Sequence, residues 1–310
     1  MVSFTFDDPD EFRGQLADVT CDMWITGVQQ RRWAYDKLKF PDLILQRGDL
    51  GSGNHVHGQA SPNGFLVYIL EDSHGLSRLD GSELAEGSAV VLRANSEFTF
   101  AHSHPHRWLS LYVANPLFRV PATISASGPQ GLSAGIIQAS RQIIPLAAAS
   151  DRFVTSAAAQ RAQRYLLRLL AGFAAGGRPG AGRPADQPKS RRGRPSIPRS
   201  MVLSACHAYL AEADLADVSL QGLLSHSGVS ARMLRTIFQE MYGFGPKRFL
   251  QLRQLNRVHR DLRESDPTVA RVTDILIRHG VWNFNHFGRR YRELFGEPPS
   301  NTLLSASGAG

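Results

Sequence analysis

The chain has 310 residues, enough for two domains with separate cores. Lysine plus arginine outnumber aspartate plus glutamate by 35 to 27, giving a net charge of +8 and a pI near 9.9; the excess gathers after residue 175, which favours a polyanionic partner. Two distant cysteines, Cys21 and Cys206, fit neither a disulfide framework nor a zinc spacing, and neither a membrane span nor an export signal is present, so a soluble cytoplasmic protein is expected.

Residues from about 1 to 120 read as strands. Leu43-Ile44-Leu45, Gly64-Phe-Leu-Val-Tyr-Ile-Leu70, Ala89-Val-Val-Leu92 and Leu109-Ser-Leu-Tyr-Val113 are short apolar runs bounded by turn residues, the last by Asn115-Pro116. Such spacing predicts a β-sandwich or small barrel. Two features of this half could carry chemistry. The first is Gln29-Gln-Arg31-Arg32-Trp33-Ala-Tyr35-Asp36-Lys37. Its arginines would neutralise a phosphate while Trp33 or Tyr35 stacks on a ring, which suits an anionic, ring-bearing effector. The same run also reads as a plain strand with Trp33 in the core. The second is histidine, in His55-Val-His57 and His102-Ser-His104-Pro-His106. Alternate residues share a strand face, so His55 and His57 could ligate one metal. The simpler reading makes all five ordinary polar histidines, with His102, His104 and His106 on a turn edge, and no metal is assigned.

From about residue 151 the period changes. Tyr165, Leu166, Leu169, Leu170 and Phe173 recur at helical spacing between Ala157 and Ala175, a wide apolar stripe. It reads as a helix packed on the barrel or, alternatively, as a dimerisation helix. Gly176 to Pro198 is rich in glycine, proline and arginine and offers almost nothing to a core, so it reads as a flexible, extended linker. Within it, Arg192-Gly193-Arg194-Pro195 resembles the core of an AT-hook, whose arginines enter a narrow minor groove. A basic tether that only attracts phosphates accounts for it equally simply.

The last third repeats its punctuation. Ser219-Leu-Gln-Gly-Leu-Leu-Ser-His-Ser-Gly228 leads into Val-Ser-Ala-Arg-Met-Leu-Arg-Thr-Ile-Phe238, and Val272-Thr-Asp-Ile-Leu-Ile-Arg-His-Gly280 leads into Val-Trp-Asn-Phe-Asn-His-Phe-Gly-Arg-Arg-Tyr291. Each is a short apolar helix, a glycine and an amphipathic helix, the pattern of a helix-turn-helix whose second helix enters the major groove. In the first unit Ser230 is a good N-cap. Leu234, Ile237 and Phe238 face the core, as does the Gln239-Glu240-Met241 end. Arg232, Arg235 and Thr236 then face outward, and arginine is the side chain best shaped for guanine. In the second unit Phe287, Tyr291 and Phe295 face inward, leaving Asn285, Gly288 and Arg289 toward the groove. Asparagine suits adenine, while Arg289 suits a phosphate or a mixed contact.

Residues from about 200 to 304 resemble the DNA-binding domain of the AraC/XylS family of bacterial transcription regulators. Gly228-Val-Ser230 with Leu234 and Phe238 matches the first unit, and Pro246-Lys-Arg-Phe-Leu with Arg253, Leu255 and Arg257 the central helix. Gly280, His286-Phe287, Arg289, Tyr291, Phe295-Gly296 and Pro298-Pro299 match the second unit and its ending. Leu224 and Leu276 stand where the family usually has alanine, and Val281 replaces a common phenylalanine. The resemblance implies two helix-turn-helix units on one central helix, reading successive major grooves of promoter DNA.

Family members with a β-rich first half usually resemble cupin-like sensors that bind a small effector and dimerise. Here Gly58-Gln-Ala-Ser-Pro lacks the glutamate of the cupin metal motif, and no histidine stands near Glu97-Phe98. Asp49-Leu-Gly-Ser-Gly53 is a rough echo of the stretch by which receptors of the PilZ type hold cyclic di-GMP. The expectation is an α+β protein with three parts. Residues 1–175 form a cupin-like effector-binding and dimerisation barrel with helices, 176–198 a basic linker, and 199–310 an all-α DNA-binding domain. It would regulate transcription, as an activator by family tendency, engaging double-stranded DNA, RNA polymerase and a small anionic effector such as cyclic di-GMP. No catalytic residue and no resident cofactor are assigned. The alternatives are a cupin-type metal-dependent enzyme or metal sensor fused to a DNA-binding tail, and an architectural nucleic-acid binder acting through the linker.

Overall fold

The computed structural model describes residues 1–16, 18–114, 125–126, 130–150, 152–176 and 197–305. The chain divides into two compact units, Met1–Met23 with Gln29–Ala185, and Trp24–Val28 with Asp186–Gly310. The sheet and the helices that cover it run β1 (Val2–Phe6), α1 (Pro9–Arg13), β2 (Val19–Lys39), β3 (Ile44–Ala60), β4 (Gly64–Ser73), β5 (Ser77–Leu79), β6 (Ser82–Glu83), β7 (Ala89–Leu92), β8 (Glu97–His102), β9 (His106–Ala114), β10 (Ser125–Ala126), α2 (Gln130–Ala148) and α3 (Ala157–Gly176). Strands neighbour one another in the order β10-β7-β4-β9-β3-β8-β5-β6, and β2 joins β1 to β3. The pivot is β3, which pairs with β9 over residues 44–50 and then with β8 over residues 54–59. A strand shared in this way bends the antiparallel sheet into a curled half-barrel, the architecture expected from the sequence.

Period-two alternation explains what each face does. Phe65, Val67 and Ile69 of β4, Val91 of β7 and Leu109, Leu111 and Val113 of β9 belong to one core, with Ile136, Ile143 and Ile144 of α2 and Leu166 and Leu170 of α3. The intervening Leu66, Tyr68, Leu92, Trp108 and Ser110 line a cavity on the other face. Strands buried on both sides read as continuous apolar runs, which is why Gly64 to Leu70 shows no polar alternation. Glu71 clasps the sheet to α2: its buried carboxylate accepts from Arg47 Nε at 3.2 Å and Arg141 Nε at 2.9 Å. The stripe of α3 packs into this core through Leu166 and Leu170, while Tyr165 remains exposed. The side chain of Phe173 lies outside the described set, as do residues 177–196 of the linker with Arg192-Gly193-Arg194-Pro195.

The other unit is helical: α4 (Arg199–Glu212), α5 (Leu220–Ser227), α6 (Ala231–Tyr242), α7 (Pro246–Glu264), α8 (Val272–Arg278), α9 (Phe284–Phe295) and α10 (Pro299–Ser305). Its axis is α7, buried on more than one side. Phe249 joins the cluster of Val202, Leu223, Leu234 and Phe238. Leu252, Leu255, Val258 and Leu262 join that of Ile275, Leu276, Phe287 and Tyr291. Residues 24–28 belong to this unit: Trp24 meets Phe249 edge-on at 4.5 Å, and the Asn256 amide bonds both backbone groups of Ile25. Among the described residues no helix is long and apolar enough to cross a membrane.

Candidate nucleic-acid interface and buried cavity

Local chemistry builds each helical hairpin. The Ser219 hydroxyl caps α5 by accepting from Gly222 N, and the helix stops at Gly228, whose φ of 65° is the left-handed conformation that glycine adopts without strain. Ser230 caps α6 by accepting from Met233 N at 3.2 Å. Leu234, Ile237 and Phe238 are buried, and Arg232, Arg235 and Thr236 are exposed, as read from the sequence. The end of this helix differs. Met241 is buried, but Gln239 is exposed and donates to the Gly243 carbonyl at 2.6 Å. Gln239 projects on the outward side of the turn, so a triplet cannot share one face of a 3.6-residue helix.

The second hairpin closes differently. Gly280 N donates to Ile277 O and Val281 N to Leu276 O, each at 2.9 Å. These are the paired bonds of a Schellman ending, which normally carries an apolar contact across it. Leu276 and Val281 lie in one buried cluster with Phe287 and Tyr291. The large residue at the position of the usual alanine is thus accommodated beside a small one. Asn283 caps α9 through His286 N. Phe287, Tyr291 and Phe295 are buried, Asn285 and Arg289 are exposed, and Arg289 Nε lies 3.9 Å from Glu293. The Tyr291 hydroxyl donates to Thr302 Oγ1 at 2.9 Å, so the His259 ring, 2.6 Å away through Nδ1, donates to it in turn.

Several basic and apolar groups of this surface escaped the sequence reading. Lys247 and Arg248, at the start of α7, line a groove of about 620 Å³ with Arg235 and Gln239. Arg290 of α9 bonds Gln251 of α7. Partial burial, and then the nearby charges of Arg248 and Arg289, hold its guanidinium below the ordinary arginine value, against an opposing pull from Glu293. Trp282 is 78% exposed just ahead of α9, and Met233 is exposed on α6. Both stand inside the repeated runs at places the pattern leaves unspecified, so only their exposure singles them out.

In the sheet unit, the ring candidates are taken up by the core. Trp33 and Tyr35 are each 1% exposed. The Trp33 indole donates to Ser52 Oγ at 3.1 Å, and the Tyr35 hydroxyl bonds Gln46 Oε1. In this arrangement neither offers a face for stacking. Arg31 and Arg32 are both exposed on β2. Asp49 to Gly53 is strand, part of β3, rather than a loop that could wrap a ligand.

The histidines are better organised than a turn edge. His104 is exposed in the turn, but His102 ends β8 and His106 begins β9, both buried and stacked with centroids 3.7 Å apart. The β3–β8 register, which sets Asn54 opposite His102, carries that ring inward, a pairing no local pattern reveals. His57 faces the Thr99 hydroxyl at 3.1 Å, and His55 is buried. Burial lowers the His55 pKa to about 3 and that of His106 to about 4. Burial, with help from His106 and His55, puts His102 well below its usual value. His102 and His106 join Asn54, Tyr68, Phe98 and Trp108 around a cavity of about 70 Å³.

Residues 223–304 match the family model described as a helix-turn-helix domain. XylDLEGF operon transcriptional activator 1 of Pseudomonas putida is 32% identical over 87 residues, which is 28% of this chain and 26% of that protein. A probable thc operon regulatory protein of Rhodococcus erythropolis is 36% identical over 76 residues, covering 24% of this chain and 23% of that one. The C-terminal domain is a helix-turn-helix domain. The chain thus spans about a quarter of the length of the curated relatives it matches. Among solved structures, the AraC-like transcriptional activator CuxR aligns over 84% of this chain and 96% of its own, at 13% identity and a TM-score of 0.36. The matched segment holds α6 and α9 with their exposed arginines. It leaves the cavity of the sheet unit without an assigned occupant.

Proposed function

We propose that the protein is a ligand-responsive, sequence-specific transcription regulator, an activator, working in the cytoplasm on double-stranded promoter DNA. Residues 1–175 would be its sensor and dimerisation part and residues 199–310 its DNA reader, with RNA polymerase as a further partner. The observation that carries this reading is the pair of helix-turn-helix units, whose exposed faces present Arg232, Arg235 and Thr236 on α6 and Asn285 and Arg289 on α9. Arg248 and Arg290 add like charges that repel one another and gain most when a polyanion lies against them. Base contacts fall to the arginines and Asn285, and phosphate contacts to Arg289 and its neighbours.

The test is selection of duplexes from a random pool by the full chain, followed by binding to selected and random DNA at near-physiological salt. A specific binder favours the selected duplex by a factor on the order of 1,000 or more. Equal affinity with a steep salt slope would instead make the chain a non-specific electrostatic binder. For the effector, a cyclic dinucleotide remains a second reading, favoured by the exposed Arg31 and Arg32 on β2. Calorimetry of cyclic di-GMP with the wild type and Arg32→Ala decides it: no heat, or undiminished binding in the variant, removes it. The cavity is the other candidate effector site, and its size excludes a dinucleotide.

A further inference from the structure

The cavity of the sheet unit is specific in what it refuses. Among the described residues that line it there is no lysine, arginine, aspartate or glutamate. Its two histidines are held neutral at neutral pH by burial. His106 Nδ1 lies 3.2 Å from the His104 carbonyl, which can only accept, so the proton sits on Nδ1 and Nε2 is left as an acceptor. A carboxylate or ammonium group entering this space would lose its hydration with no opposite charge to meet it. A neutral polar group loses far less, and a single hydrogen bond inside the cavity offsets it.

One wall group also asks for a ligand. Asn54, 1% exposed, lines the cavity, and its Oδ1 has no hydrogen-bond partner among the described residues. Its Nδ2 reaches only the thioether of Met23, at 3.8 Å, a weak acceptor. Turning the amide end for end sets Oδ1 against the thioether, which has no proton to give, so the oxygen remains unsatisfied. Buried amides are normally bonded, and leaving one polar atom unmet is destabilising. Size sets the rest. The volume of about 70 Å³ is roughly half that of a cavity that houses benzene, so it takes only a few non-hydrogen atoms. Leu16, Val19 and Val56 are the half-buried lining residues, and a longer ligand would continue past them.

Resting on the sensor reading above, we propose that this cavity binds the uncharged end of a small, mainly apolar effector, with one hydrogen-bonding group of that end held by the Asn54 amide. The remainder of the ligand packs on Leu50, Phe98 and Phe100 and leaves along the half-buried side. An alcohol, ketone or amide on a short hydrocarbon frame has this character; a sugar phosphate or a fully ionised acid does not.

The experiment takes the full-length protein and a series of primary alcohols and primary amides of three to eight carbons, with the carboxylates and amines of the same lengths. Melting temperature and calorimetric Kd are read for each. The neutral members should raise the melting temperature, more so as the chain lengthens, while ionised members of equal length at equal concentration leave it unchanged. Asn54→Leu should weaken the best neutral ligand at least tenfold. Binding of the carboxylates or amines as tightly as the alcohols, undiminished binding in the variant, or no binding by any neutral member overturns the proposal. Should Asn54→Leu fail to melt cooperatively, the wild type's choice between neutral and ionised members still decides. Duplex binding on the same sample keeps the two readings apart. Specific DNA binding without any neutral ligand overturns the cavity proposal alone, and neutral-ligand binding without DNA specificity supports the cavity while overturning the regulator.

Discussion

His55, His102 and His106 are neutral in the folded protein because burial strips water from the imidazolium form. Their folded-state pKa values lie below the unfolded value of about 6.5. Above that pH both states are neutral and stability is complete. Below it the unfolded chain binds protons that the fold refuses, so stability is lost as pH falls from about 6.5 toward the folded values, about 4 for His106. Each such histidine removes about 1.4 kcal/mol per pH unit over that interval. Urea unfolding at about pH 7 and about pH 5 should therefore differ by a few kcal/mol, and His106→Leu should flatten the dependence. Equal stabilities at the two pH values would mean that these rings are accessible. On the DNA side, Arg235→Ala should cost about 1–3 kcal/mol at a selected duplex and relax preference at one base pair. An equal loss on random DNA would make Arg235 a phosphate contact. Trp282→Ala should lower duplex affinity without lowering the melting temperature, since the indole is 78% exposed and supports little of the fold.

Two turn glycines that look equivalent in the sequence differ as elements. Gly228 and Gly280 have φ of 65° and 70°, so any other residue meets the left-handed penalty of roughly 1 kcal/mol. A Cβ at Gly228 would meet open space, whereas one at Gly280 would lie 3.0 Å from the Ala216 carbonyl oxygen and 3.1 Å from its Cα. Gly280→Ala should thus destabilise clearly more than Gly228→Ala, by urea denaturation; equal losses would show that the backbone near Ala216 yields freely. The same contrast marks what the sequence discloses. The Ser230 cap and the spacing of Leu234, Ile237 and Phe238 are local, and they were legible along with the outward faces of α6 and α9. The helix α2 announces itself poorly, with no acidic first turn, no basic last turn and Pro145 inside it. The inward turn of His102, the burial of Trp33 and Tyr35 in the core and the Arg248–Arg290 neighbourhood all depend on register or packing between distant segments. No window of sequence carries that information.

At the scale of the whole molecule, the regulator proposed above works only if its ligand favours the DNA-competent arrangement, because equal affinity for two states shifts nothing. The segment between the β-rich and helical halves then matters through its charge. Residues 177–196 hold six lysines or arginines and one acidic residue. If they do no more than attract phosphates, replacing them by a glycine-serine segment of equal length keeps reach and removes charge. The salt dependence of log K should then become shallower by about 0.9 for each phosphate no longer neutralised. Affinity for selected and random duplexes should fall by the same factor, leaving their ratio unchanged, and the melting of each unit should not move. The measurement is a salt titration of both duplexes with the two proteins. A fall in the ratio, concentrated on duplexes with a narrow A·T minor groove beside the selected site, would instead place Arg192-Gly193-Arg194 in that groove as a reader of shape. The charge excess of the chain would in that case contribute to specificity as well as to attraction.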